Sequence, residues 1–225
     1  MTNRMSVPDI FDEVADDLRS DRARLLVRRY APLLLGVAVL VVGFAGGWRV
    51  WQYYDAKRAG EVAVTYMAAM KAANGKTTAD HLAAAGDFAA IAEHAGSGYR
   101  TLARLHEAAL KADVGDLAGA STVWDEIAGD RSADPLLRDL ANLQWGLHQI
   151  DSGNPAAIEA RLAPLAIATN PWHSLAAEAL AILDLKRGKT DAARAELKTL
   201  SQDTTAPEGV RRRAEGLLDQ LGSNG

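Results

Sequence analysis

The sequence predicts an all-α protein in which a single N-terminal transmembrane helix precedes a solenoid of helical hairpins. Three observations carry that expectation. Residues 30–48, YAPLLLGVAVLVVGFAGGW, run for 19 positions without a charge. Beyond them the chain is rich in alanine and lacks the alternating β-branched runs of strands, so every segment reads as helix and turn. A pattern of small, turn, small, large and aliphatic residues then recurs at intervals of 35 to 38 residues.

The first helix to justify lies ahead of the apolar run. Met1 to Pro8 reads as unstructured, and Asp9 to Leu26 as a helix. Ile10, Phe11, Val14, Leu18 and Leu25 recur at helical steps and make one apolar stripe. Asp12, Glu13, Asp16 and Asp17 fall near its start and the arginines near its end, as the helix dipole favours. Such a helix lies at a membrane surface or runs on into the span; docking a cytosolic partner is the alternative. Residues 1–29 therefore form a cytoplasmic tail with an amphipathic helix.

Residues 30–54 form the anchor and its aromatic belt. A helix of about 20 apolar residues crosses a bilayer core of roughly 30 Å. Tyr30, Trp48, Trp51, Tyr53 and Tyr54 stand at its two ends, where amphipathic rings settle. A cleaved signal peptide would need a small-residue site soon after the run, and none follows directly; a buried soluble helix this long and free of charge is uncommon. Arg19, Arg22, Arg24, Arg28 and Arg29 precede the span closely; Arg49, Lys57 and Arg58 follow it. Five cations against three put the N-terminus in the cytoplasm and the remainder across the membrane. Pro32 is tolerated in the first turn. Gly36, Gly43 and Gly47 share one face, and the Gly43–Gly47 pair would let another helix approach closely.

Residues 55–225 are long enough for one domain with its own core. The formal charge is −4 for the chain and −5 for this segment, which gives no footprint for nucleic acid. There is no cysteine, which excludes disulfides and thiolate metal or redox sites. Gln52 to Asn74 continues as helix with a stripe of Val62, Tyr66, Met70 and Ala73, and Asn74-Gly75 reads as its C-terminal cap.

The repeat emerges on aligning Ala79, Gly115, Gly153 and Gly188 as turn positions. Seven residues earlier stand Ala72, Ala108, Gly146 and Ala181. Five later stand Ala84, Ala120, Ile158 and Ala193; nine later, Phe88, Trp124, Leu162 and Leu197; twelve later, Ile91, Ile127, Leu165 and Leu200. Gly96, Pro135, Pro171 and Pro207 close the units. Each offset has a reason. A small residue in the first helix lets the second pack closely across it, and the turn needs a permissive backbone. The later positions lie on one face of the second helix, directed into the pair.

This arrangement resembles tetratricopeptide repeats, most closely in Gly115-Asp116-Leu117 with Ala120 and Trp124, then in Gly188-Lys189-Thr190 with Ala193 and Leu197. Residues 55–225 are accordingly a tetratricopeptide-like helical-repeat domain of about four hairpins and a closing helix. The third unit departs with Ile158 where a small residue is usual, and the first with Ala79 in place of glycine. The tail IFDEVADDLRSDRARLLVRRYAP, the span ending Gly-Trp-Arg-x-Trp and the repeats together resemble the membrane-anchored ancillary subunit family of the bacterial Sec translocon. That resemblance implies a single-pass inner-membrane protein with a periplasmic repeat domain, associated with Sec translocon subunits and periplasmic chaperones or emerging clients. A scaffold for another envelope complex, in cell division or wall synthesis, is the alternative.

Catalysis finds no support in the motifs. His81, His94, His106, His148 and His173 form no H-E-x-x-H, and the chain has no nucleophile elbow, phosphate loop or dinucleotide fingerprint. No catalytic, metal or cofactor site, no cofactor and no small-molecule substrate is expected. Gly96-Ser97-Gly98 reads as a loop with Ser97 capping the next helix. Trp124 falls on a packing position, Trp145 adjoins one, and Trp172 is expected to be partly exposed; the three rings would otherwise line a peptide groove. Arg211-Arg212-Arg213 reads as the polar outer face of a terminal helix, with contact to an acidic partner as the sharper alternative.

Overall fold

The structure is a computed structural model that describes the backbone of residues 10–223, with side chains described at 36, 40–54 and 56–222. The expectation for Met1 to Pro8 lies outside the described residues. So do the stripe from Ile10 to Leu25, the arginines before the span, and the side chains of 30–35 and 37–39. The chain divides into two compact units, residues 1–58 and 59–225.

In the first unit the backbone is helical from Ile10, within α1 (Ile10–Ala72), so the tail helix and the apolar run are one element. Leu40, Val42 and Phe44 are 71–74% exposed, and Trp48, Val50 and Trp51 at least half exposed. Among the residues described in full, no helix is long and apolar enough to cross a membrane.

The second unit contains the end of α1, then α2 (Thr78–His94), α3 (Ser97–Asp113), α4 (Leu117–Gly129), α5 (Pro135–Gln149), α6 (Pro155–Leu162), α7 (His173–Lys186), α8 (Thr190–Gln202) and α9 (Glu208–Ser223). Consecutive helices pair as hairpins: α1 with α2, α3 with α4, α5 with α6, α7 with α8, and α9 closes the stack. The odd helices also touch one another, α3 with α5, α5 with α7 and α7 with α9, and so line one common face.

Local chemistry sets the boundaries. Thr77 and Asp80 form a reciprocal capping box at the start of α2, with bonds of 3.1 and 3.0 Å. Asp116, Asp134 and Asn154 cap α4, α5 and α6 with side-chain oxygens, and Pro135 and Pro155 open the last two. Pro164 has no N–H to donate, and α6 tightens there into a 3-10 turn, Ala163–Leu165. Gly115 and Gly188 turn the chain at φ +87° and +75°, a region that side chains disfavour.

Three boundary expectations are corrected. Ala79 lies inside the first turn of α2 and is no turn residue; the connection runs from Ala73 to Thr77. This loop exceeds the three-residue turn Val114 to Asp116, and the close-packed position moves back along α1 to Ala69, 2% exposed, while Ala72 is exposed. Asn74-Gly75 does cap α1, the Asn74 amide donating to the Met70 carbonyl at 3.1 Å, but without the left-handed geometry, because Gly75 lacks a positive φ. Its small size matters instead for Asp80: a Cβ at Gly75 would lie 2.3 Å from the Asp80 Cβ. Ser97 is the first residue of α3 and not its cap; Gly96 holds that position with no side-chain bond.

Among the described residues the core is a string of four clusters, one at each junction, as expected when each repeat buries its face only against its neighbours. Ala84, Phe88, Ala120, Ile158, Leu162, Ala193 and Leu197 are 0% exposed and Trp124 is 1% exposed. Gly146 faces Leu162 so closely that a Cβ there would lie 2.7 Å from Leu162 Cδ2. Alanine and glycine thus set the distance between helices, and one large side chain per hairpin fills what remains.

Candidate protein-binding groove

The face shared by the odd helices carries an apolar groove of about 520 Å³ between α5, α7 and α9. Leu147, Leu175, Ala179, Ile182 and Leu217 supply its apolar lining. One charged pair is set into it. Glu178 on α7 is 6% exposed, and Arg213 on α9 donates to both its carboxylate oxygens from Nε and Nη2, each at 2.6 Å. The forked geometry satisfies a carboxylate that burial would otherwise penalise. The same hydrogen bonds hold the Arg213 guanidinium above its already high ordinary pKa. The groove therefore offers apolar contact beside a fixed and internally compensated charge pair. That chemistry suits apolar side chains of a helix or extended peptide better than a charged small molecule.

The arginine triplet is thus divided in use. Arg213 binds back onto the stack, Arg212 is exposed with Glu208 3.7 Å away, and Arg211 is half-buried. Glu178 and Arg213 lie 35 positions apart, one repeat period, yet neither residue type marks such a pairing in advance. Other contacts between hairpins have nearly that spacing: Lys186 with Asp151 on the preceding hairpin, 35 apart, and Trp172 Nε1 donating to the Leu136 carbonyl at 3.1 Å, 36 apart.

The tryptophans do not line this groove. Trp124 is core, stacked on His148 at 5.0 Å between ring centres, and its N–H has no acceptor among the described residues. Trp145 bridges two core clusters with the Arg161 guanidinium 3.8 Å above its ring. Trp172 is half-buried and precedes α7 directly.

The histidines stay apart. His106 stacks on Phe88 at 4.9 Å and meets Tyr66 edge-on; burial there holds its imidazole below the usual pKa. His81 lies 3.0 Å from the Gly75 carbonyl and His173 2.9 Å from that of Asn170. Among the described residues no cluster of three or more His, Asp or Glu has metal-binding geometry. In the first unit Gly36, Gly43 and Gly47 are exposed, and nothing described lies within 4 Å of a Cβ built on any of them.

A stack of antiparallel helix pairs with a closing helix and an apolar inner groove is a helical-repeat scaffold. The model of the tetratricopeptide repeat-like domain family matches residues 27–212, and the chain belongs to that family. No curated protein and no solved structure matches the chain. Repeat domains of this kind are typically interaction modules, because stacked repeats present an extended binding surface.

Proposed function

We propose that this protein is a membrane-tethered interaction adaptor that links the Sec translocon to periplasmic chaperones or emerging clients. The observation that carries the reading is the pairing of two features within one family match. The match begins at Val27, so the uncharged run from Tyr30 to Trp48 belongs to the same unit of descent as the repeats. That run is the membrane span, with the N-terminus in the cytoplasm and residues 55–225 in the periplasm. The exposed rings of Trp48, Trp51, Tyr53 and Tyr54 at one end of it support an interfacial position. Tethering confines the repeat domain to the membrane surface and raises its effective concentration near membrane complexes. The groove between α5, α7 and α9 is the client or chaperone face, and Gly36, Gly43 and Gly47 form the face through which the span approaches translocon helices.

Site-specific photo-crosslinking in intact cells tests this. Probes at Leu40 and Trp51 are expected to capture translocon subunits, and a probe at Ile182 a chaperone or a secreted client. Capture of cell-division or wall-synthesis proteins alone at all three positions would overturn the translocon assignment and leave the repeat scaffold intact.

A further inference from the structure

A second groove lies on the first hairpin, between the end of α1 and α2, with a volume of about 510 Å³. Its floor is apolar, made by half-buried Val62 and Ile91 with exposed Ala68 and Ala90, over the buried Ala69. Its rim carries the carboxylates of Glu61 and Asp87, both exposed. The hairpin meets α3 on its opposite side. Tyr66 and Phe88 point there, with ring centres 5.5 Å from Tyr99 and 4.9 Å from His106 respectively. At 100° per residue, Thr65 and Ala68 on α1 and Asp87 and Ala90 on α2 lie about 100° or more around their helices from those rings.

Position in the stack makes this groove unusual. Every later hairpin is covered on both faces by its neighbours, and the last is covered by α9, whose Val210 and Ala214 pack on Ala177, Ala181, Leu197 and Leu200. On the corresponding face of the first hairpin Glu61, Thr65, Ala68, Asp87 and Ala90 all stay exposed, so among the described residues no helix covers it. A solenoid end with no helix over it leaves apolar floor in solvent, which a capping element normally prevents. Charge indicates what fits. His94 also lines the groove, no lysine or arginine does, and neither Glu61 nor Asp87 has an ion-pair partner among the described residues.

We propose that this groove docks one basic amphipathic helix of a partner protein, which occupies the position a preceding repeat helix would hold. Its apolar stripe meets Val62, Ala68, Ala90 and Ile91, and its lysines or arginines meet Glu61 and Asp87. The site is distinct from the α5–α7–α9 groove, and it rests on the solenoid and not on the membrane reading. The adaptor would then hold two partners at once, one at each site.

The natural absence of cysteine makes the test direct. Ala68, exposed at the groove, is replaced in A68C; Ala160, exposed on α6, is replaced in the control A160C. The full-length chain in nonionic detergent is mixed, in air with copper–phenanthroline as oxidant, with a synthetic leucine–lysine amphipathic helix bearing one cysteine in its apolar stripe, and disulfide formation is followed over time. The expected result is at least about tenfold faster cross-linking at position 68 than at 160, a ratio set by about 1.4 kcal/mol of specific binding. Adding E61K and D87K is expected to abolish the advantage, and a leucine–glutamate peptide to restore it on that charge-reversed protein. Equal rates at the two positions, or a preference indifferent to the reversal, would overturn the proposal. So would disulfide-linked dimers of the A68C chain forming without peptide, which would make this face an interface between copies of the chain.

Discussion

Replacing Gly146 by alanine sets two effects of opposite sign against each other. Gly146 lies in the body of α5, where alanine is favoured over glycine by about 1 kcal/mol. The new Cβ, however, would sit 2.7 Å from Leu162 Cδ2 and 2.9 Å from Leu162 Cγ. Leu162 is 0% exposed within the cluster of Leu143, Ile158 and Leu183, and its side chain has no open space to swing into. Overpacking of this kind costs about 1–3 kcal/mol. The net expectation is destabilisation by about 1 kcal/mol, since the clash exceeds the propensity gain. With a urea m-value of about 2 kcal/mol per molar, the midpoint followed by far-ultraviolet dichroism falls by about 0.5 M. Gly86 supplies the contrast: it is an exposed glycine inside α2 with nothing within 4 Å of a Cβ, and Gly86→Ala should raise the midpoint. Leu162→Ala alone should cost about 2–5 kcal/mol. In the Gly146→Ala background it should cost about 1 kcal/mol less, as the truncation frees room for the new methyl. If Gly146→Ala raised the midpoint as Gly86→Ala does, or if the two changes simply added, the close-packing argument for this position would be wrong.

Three further outcomes follow from the same structure. Gly188→Ala forces a Cβ into φ +75° and should destabilise by about 1 kcal/mol in the same denaturation assay, although nothing lies within 4 Å of the new methyl. Arg213→Ala strips the buried Glu178 of its forked partner and should cost about 1–3 kcal/mol; adding Glu178→Met should recover much of that loss. His106 has its pKa lowered by desolvation from the ordinary 6.5, so the folded protein resists protonation that the unfolded chain accepts. Its contribution is complete above pH 6.5 and is lost as pH falls through its folded value. His106→Phe, which keeps a ring against Phe88, should flatten the urea midpoint against pH in this window. The residual acid loss should come lower, as pH falls below the ordinary carboxylate value. Side-chain hydrogen bonds from Thr77, Ser132 and Thr205 hold Asp80, Asp130 and Asp203 below their ordinary 3.8.

The repeat was legible because its packing is nearly one-dimensional. Each hairpin buries a face only against its neighbours, so small and large residues recur at fixed offsets from the turn, as Ala120 and Trp124 follow Gly115. The offsets misled where the connection changed length. In the first hairpin the longer loop shifted the close contact from Ala72 to Ala69. Gly75 had the composition of a left-handed cap, but its small size is required by the Asp80 side chain that folds back onto it. The arginine triplet read as a solvated surface because sequence pattern reports a helix face and not what stands opposite it.

Local composition and period were enough to establish the all-helical class, the repeat with its turns at Gly115 and Gly188, and the uncharged run that divides the chain. Backbone propensity and the apolar character of each segment govern these features, and both are written along the chain. Which face of the stack stays open was a matter of packing alone. The Glu178–Arg213 pair, the apolar groove it sits in and the uncovered carboxylate-rimmed groove of the first hairpin all depend on helices being placed side by side. Stacking converts a separation of about one repeat into contact, and charge pairing at that separation leaves no periodic trace for the sequence to show.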